Sequence, residues 1–216
     1  EERMTPEVAL HRGLAALTLE LAPGTIDKLL AFVELLAKWN RTYNLTAIRD
    51  PMKMVSHHLL DSLAVVPHLP IHAGGALADV GSGAGLPGIP LAIARPEWQV
   101  TLNDSNRKKT AFLRQAAIEL GLANTNVYAG RVEDWQPARR FAVVISRGFA
   151  ELSDFLSACG RLVAPGGVLA AMKGVYPNDE LARTPEGTAC DRVVRLEVPF
   201  LEAERHLVLC RPAGAQ

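Results

Sequence analysis

From residue 76 onward, short and nearly continuous apolar runs alternate with stretches in which apolar residues recur every three or four positions. Ala76–Val80, Gln99–Leu102, Asn126–Ala129, Phe141–Ser146 and Val168–Met172 read as buried strands, and helical spacing follows at Pro87–Ala94, Asn106–Leu120 and Leu152–Val163. Strands that are apolar throughout and separated by helices predict a parallel sheet covered on both faces. The end of the chain differs. Arg192–Val198 and His206–Cys210, joined by a short acidic turn region, predict an antiparallel hairpin. The first third is helical in pattern: Thr25 is placed to cap a helix with Ile26, Leu29, Leu30, Val33, Leu36 and Ala37 on one side. Pro51 opens a second helix carrying Met54, Val55, Leu59, Leu63 and Val66 and ending near Pro67. The expected architecture is α/β: a doubly wound, mostly parallel, Rossmann-like sheet of seven strands. A helical N-terminal extension (1–72) is expected to pack with the core (73–216) as one globular unit. Ligand binding is then expected at the carboxyl ends of the strands.

The 216 residues leave room for one such domain, and 49% hydrophobic content suffices for a real core. No apolar run approaches the length of a membrane span, and Glu1-Glu2-Arg3 does not resemble a signal peptide, so a cytoplasmic, membrane-free protein is expected. Cys159, Cys190 and Cys210 are far apart and form no CxxC, which suggests neither a disulfide framework nor a zinc site. Formal net charge is zero. That argues mildly against a nucleic-acid partner, but local clusters govern phosphate contacts. Basic residues bunch at Lys38–Lys53, at Arg107, Lys108 and Lys109, and at Arg139, Arg140 and Arg147. Taken alone, each bunch reads first as a solvated face.

Asp79-Val80-Gly81-Ser82-Gly83-Ala84-Gly85-Leu86-Pro87-Gly88 lies where the first strand meets a helix. Glycines there let a ligand approach the backbone, and the helix behind is expected to offer free N–H groups to an anion. Asp104, after the second strand, can accept both ribose hydroxyls of an adenosine-type ligand. The spacing is GxGxG, through Gly81, Gly83 and Gly85, with Leu86 where a dinucleotide fingerprint has its last glycine or alanine. It suits a ligand with an amino-acid carboxylate in place of a pyrophosphate, and the missing GK[ST] removes a P-loop.

DVGSGAGLPGIP (Asp79–Pro90), WNRTYNLT (Trp39–Thr46), HLLDS (His58–Ser62), Ser146-Arg147 and ERHL (Glu204–Leu207) together resemble the bacterial small-subunit (16S) ribosomal RNA guanine-N7 methyltransferases. That family is also called glucose-inhibited division protein B. The resemblance runs from about Thr25 to Cys210. It implies a class I S-adenosylmethionine-dependent methyltransferase, with 16S ribosomal RNA or the small ribosomal subunit as partner, no metal, and a monomeric chain. By resemblance, Gly81 and Leu86 line the S-adenosylmethionine site, Asp104 holds the ribose, and Val132 and Glu133 contact the adenine. Arg147 is the further family position in the cofactor site. One departure is Asn103, which stands before Asp104 where relatives are usually apolar.

The acceptor can be argued from chemistry. Families that methylate exocyclic amines place an Asn/Asp-Pro-Pro-aromatic turn after the fourth strand; here the place reads Ser146-Arg147-Gly148-Phe149. Pyrimidine carbons need a cysteine nucleophile, whereas Cys159 and Cys210 read as small core residues. Guanine N7 exposes a lone pair and needs no general base, so a direct in-line displacement is expected. Arg147, the residue assigned to catalysis, is expected at the crevice rim, ordering the methionine end of the cofactor or meeting guanine O6; otherwise it forms a surface salt bridge. Lys173 is a candidate for an RNA phosphate. Tyr43 either stacks on a splayed base or packs, and Trp39 reads as packing. Of His57 and His58, one is expected to be buried and hydrogen-bonded, tying the extension to the core. Rival readings are a methyltransferase for another RNA site, a protein or a small molecule, a nicotinamide-dependent oxidoreductase, and a non-catalytic RNA-binding ribosome-assembly protein.

Overall fold

The computed structural model describes residues 2–212 and Gly214. Seven strands, β1 (Ala76–Val80), β2 (Gln99–Asp104), β3 (Thr125–Ala129), β4 (Phe141–Ser146), β5 (Val163–Lys173), β6 (Ala189–Arg195) and β7 (His206–Arg211), form one sheet in the order β3-β2-β1-β4-β5-β7-β6. The first five run parallel and β7 is antiparallel to both β5 and β6. Strand order reverses between β1 and β4, which opens a crevice at their carboxyl ends.

Alternation along each strand divides the core. Leu77, Val143, Ile145, Ala170, Met172, Leu207 and Leu209 join the cluster that includes the N-terminal helices. Their neighbours Ala76, Ala78, Val144, Leu169, Ala171 and Val208 join a second cluster under α7 (Leu152–Cys159). A period of two on strands covered from both sides gives this partition. The helical layer over the first cluster comprises α1 (Pro6–Ala16), α2 (Thr25–Tyr43), α5 (Gly88–Ala94) and α6 (Arg107–Glu119). No helix among the described residues is long and apolar enough to cross a membrane.

Several boundaries and roles differ from expectation. Thr25 is the first helical residue of α2 rather than its cap; Gly24 occupies the cap position and Thr25 is buried. The helix expected from Pro51 to Pro67 is broken into α3 (Pro51–Met54), a π-helical stretch (Val55–Leu60), α4 (Asp61–Leu63) and a 3₁₀ turn (Val66–His68). The π stretch changes the helical phase just before Asp61, a kind of irregularity common at functional sites. Helix α7 stops at Cys159, and Val163 already belongs to β5, which pairs with β4 across a register shift. A further short helix, α8 (Asn178–Leu181), follows β5.

Cys190 and Cys210 form a disulfide, contrary to the expectation that Cys210 is a free core thiol. Pairing of Ala189 with Arg211 and of Arg192 with Leu209 sets the two cysteines opposite one another on β6 and β7. Only the register reveals this. Cys159 is buried, and burial pushes its thiol up to about 12, so it is no nucleophile at neutral pH.

Candidate active site

The loop after β1 is a tight fold of backbone on itself. Ser82 N–H donates to Asn103 O, and Gly85 and Leu86 N–H both donate to Ser82 O. Gly81 and Gly83 have φ of 67° and 58°, and a Cβ added at either would meet no protein atom within 4 Å. Backbone is therefore exposed where a ligand could lie against it. Gly88 is different. A Cβ there would stand 2.2 Å from Leu102 Cδ2 and 2.7 Å from Asp79 Oδ2, so glycine lets α5 dock directly on the end of β1.

That docking corrects one expectation. The helix behind the loop offers no free N–H to an anion: Gly88 N–H donates to Asp79 Oδ2 at 2.8 Å, Ile89 N–H to Gly85 O and Leu91 N–H to Pro87 O. Proline at 87 and 90 has no N–H to give. Asp79 is fully buried, also accepts from Ser82 Oγ at 2.7 Å, and its Oδ1 finds no partner among the described residues. Burial pushes its carboxyl up to about 8, against the pull of the Ser82 and Gly88 bonds.

Asp104, the last residue of β2, accepts from Gly83 N–H through Oδ2 and from Asn106 N–H through Oδ1, both at 2.9 Å. Each oxygen retains a lone pair. It borders a cavity of about 360 Å³ shared with Gly81, Val132, Glu133 and Phe149. Asn103, polar where an apolar residue is usual in the family it resembles, is buried and donates from Nδ2 to Tyr128 O at 3.2 Å and to Gly130 O at 2.9 Å. It braces the strand end.

A second cavity, of about 250 Å³, meets the first at Gly81 and is lined by Gly83, Leu86, Thr46, His58, Lys109 and Arg147. Arg147 reaches this place from the end of β4. It is half-buried, its Nη1 lies 3.6 Å from Asp61 Oδ2, and that Nη1 has no hydrogen-bond partner among the described residues. Asp61, 1% exposed, receives a two-pronged contact from Arg205: Nε to Oδ1 at 2.7 Å and Nη2 to Oδ2 at 3.1 Å. The salt bridge of Arg147 is thus neither superficial nor exclusive. One carboxylate serves two guanidiniums, which leaves an excess positive charge beside the glycine loop.

His58 is the buried histidine of its pair; its Nε2 is 2.8 Å from Thr46 Oγ1. Burial, followed by the charge of Arg147, lowers it to about 4, so the ring is neutral at physiological pH. Thr46 N–H is in turn held by Oδ1 of the buried Asn40, whose Nδ2 donates to Ile48 O. The histidine and the Trp39–Thr46 loop therefore link the N-terminal helices to the crevice.

Residues that sequence reasoning left without a role, Asn40, Thr46, Asp61 and Arg205, converge here. All four sit inside motifs quoted for the family resemblance, and that was the available signal. Lys173 is corrected. Its ammonium donates to Glu180 Oε1 at 2.8 Å, Phe149 O at 3.2 Å and Ala150 O at 3.3 Å, so all three protons are engaged and none remains for a phosphate. Tyr43 is 42% exposed and its ring lies 5.2 Å from that of Trp39, which packs on Phe112. No group of three or more His, Cys, Asp or Glu side chains among the described residues could hold a metal ion.

Comparison with known proteins gives a consistent result. Residues 25–208 match the family model described as GidB, rRNA small subunit methyltransferase G. The chain is 54% identical over 206 residues to the ribosomal RNA small subunit methyltransferase G of Burkholderia ambifaria, covering 94% of this chain and 90% of that one. It is 55% identical over 200 residues to the protein of the same name from Neisseria meningitidis, covering 93% and 95%. Among solved structures, TrmN from Thermus thermophilus superposes with a TM-score of 0.56 at 17% identity, over 73% of this chain and 53% of that one. A SAM-dependent methyltransferase from Thiobacillus denitrificans, in complex with S-adenosyl-L-homocysteine, gives 0.53 at 11% identity, over 70% and 90%. These two similarities concern the fold.

Proposed function

The chain belongs to the ribosomal RNA small subunit methyltransferase G family, and on that premise we propose that it methylates N7 of a guanine in 16S ribosomal RNA, with S-adenosylmethionine as donor. The carrying observation is Arg147 Nη1, a buried polar atom in the cavity beside the glycine loop with no hydrogen-bond partner among the described residues. Buried polar groups without partners are rare in folded proteins, and a cation lining the cavity beside the glycine loop suits the carboxylate end of an amino acid. The methionine part of the donor carries such a carboxylate. S-adenosylmethionine, when bound, supplies an electrophilic methyl group on a sulfonium.

The residues present fit such a ligand along its length. Gly81, Gly83 and Leu86 form the bed, with backbone open at Gly81 and Gly83, whereas Gly85, expected there too, faces Ile89 and Leu113 and serves the packing of α5. Asp104 keeps free lone pairs for two ribose hydroxyls, and Val132 and Glu133 border the same cavity for the adenine. Arg147 is the group for the carboxylate. Asp61, itself held by Arg205, faces its guanidinium, so little reorganisation is needed as ligand binds.

Methylation of N7 asks for positioning and not for proton removal, since the attacking lone pair is already free. In the second cavity His58 is neutral and hydrogen-bonded to Thr46, and the buried Cys159 is inert, which supports a transfer by positioning alone. In-line displacement then needs the guanine ring held against the mouth of the 250 Å³ cavity, with Lys109 and Tyr43 as the RNA-facing groups. A cytoplasmic protein acting on the small subunit or its RNA, as a single chain, completes the reading.

Calorimetry with S-adenosylmethionine, followed by methyl transfer to small-subunit particles and mass mapping of the RNA, tests it. Saturable binding and one new 7-methylguanine are expected. A methyl group on protein or on another base would reject the assigned acceptor, and absence of binding would reject the site.

A further inference from the structure

In the segment that follows β3, side chains of the protein bind the carbonyls, while the leading amides of its 3₁₀ turn have no side-chain cap. Arg161, from the 3₁₀ turn Gly160–Leu162 after α7, donates through Nη1 to Trp135 O at 2.5 Å and through Nη2 to Val132 O at 2.6 Å and Glu133 O at 3.3 Å. From the other side, Asn103 Nδ2 holds Tyr128 O and Gly130 O. Trp135 lies flat against Tyr128, with ring centroids 4.8 Å apart and an interplanar angle of 10°. Five carbonyls between residues 128 and 135 are thereby turned inward.

The 3₁₀ turn Val132–Asp134 is closed by Asp134 N–H to Arg131 O and Trp135 N–H to Val132 O. The N–H groups of Val132 and Glu133 precede the closing bonds, as the first amides of any helical turn do, and have no acceptor within it. Both residues border the cavity that also holds Asp104. We propose that Arg161 is a positioning residue for the cofactor's base: by gripping three carbonyls of the turn, it aims the Val132 and Glu133 backbone at an adenine and sets the preference for that base. The inference rests on the reading of this cavity as the S-adenosylmethionine site.

The chemistry favours arginine over any other residue here. A guanidinium is planar, always charged and forked, so one side chain can satisfy three carbonyls at fixed angles, and bonds to a charged donor are stronger than neutral ones. Lysine would present a single point of donors. An amide N–H opposite adenine N1 meets an acceptor; opposite hypoxanthine it meets a second N–H, and both donors are left unpaired. A rigid turn enforces that difference, and a loosened turn relaxes it.

The test uses the full chain with Arg161→Gln and Arg161→Lys. Binding of S-adenosylhomocysteine and of S-inosylhomocysteine is measured, together with KM for S-adenosylmethionine and kcat on small-subunit particles. For Arg161→Gln, affinity for S-adenosylhomocysteine should fall about ten-fold and the preference over S-inosylhomocysteine should shrink towards parity. The turnover at saturating cofactor and KM for the particles should stay at wild-type values. Arg161→Lys should recover part of the preference, and it decides the matter if the glutamine variant does not fold. Unchanged affinity and unchanged base preference in a folded variant would overturn the proposal, as would a loss of kcat alone. A wild-type chain that binds neither nucleoside would instead overturn the cofactor site itself.

Discussion

Replacing Asp61 with asparagine keeps the side chain's shape and removes the one charge between two guanidiniums. Arg147 at 3.6 Å and Arg205 at 2.7 Å both depend on it. At an effective dielectric of about 20, a unit pair at 3.6 Å is worth about 4–5 kcal/mol gross, and the desolvation of each ion, several kcal/mol, opposes it. Breaking such a pair leaves the remaining charges buried and mutually repelling, which costs about 3–5 kcal/mol. For a chain of this length that corresponds to a fall in Tm of roughly 6–20 °C. Function should change as well, because Arg147 Nη1 is then aimed by nothing else among the described residues. Calorimetric melting and titration with S-adenosylmethionine measure both effects, and Asp61→Asn should lose at least about ten-fold in cofactor affinity. Combining it with Arg205→Met removes the second stranded cation and should recover part of the stability but none of the affinity. If Asp61→Asn melts within 1 °C of wild type and binds normally, the buried triad has been misread.

Other perturbations follow from the same geometry. His58 is lowered to about 4 from an ordinary value near 6.5, so protons bind the unfolded chain more readily across that window. Its contribution, about 3 kcal/mol, is present above pH 6.5 and lost as pH falls towards 4; urea titrations from pH 7 to 4 should show a flatter profile for His58→Gln, and parallel profiles would contradict the burial argument. Gly81→Ala puts a methyl into open cavity at positive φ, so stability should fall by about 1–2 kcal/mol while cofactor binding falls much further, as melting and calorimetry will separate. Lys109→Ala should reduce the slope of log RNA affinity against log salt by about one. Lys173→Ala should leave that slope alone and lower Tm, because its ammonium is bound internally.

Much of the architecture was legible along the chain. Strands β1 and β4 fall at the residues their apolar runs mark, and the glycine loop lies between β1 and α5. Such features depend on local rules: a period of two or 3.6, and the need for backbone without a Cβ where something approaches closely. The positions of Gly81, Asp104 and Arg147 at strand ends follow from the same periodicity, since each lies at or just beyond the end of a run. What no local rule could reach is who partners whom.

Asp61 and Arg205 are 144 residues apart, and they meet because a π-helical stretch rephases one helix while the hairpin returns the other end of the chain to the same edge. Cys190 and Cys210 are joined by strand register, which their spacing does not encode. Lys173 looked available for a phosphate until Glu180 and two carbonyls claimed its protons, and the amides behind the glycine loop looked free until Asp79 took one. Charge and hydrogen-bonding capacity are written in the amino acids themselves. Their satisfaction is decided only when burial removes water and each polar group must find its partner among whatever the tertiary fold has brought near.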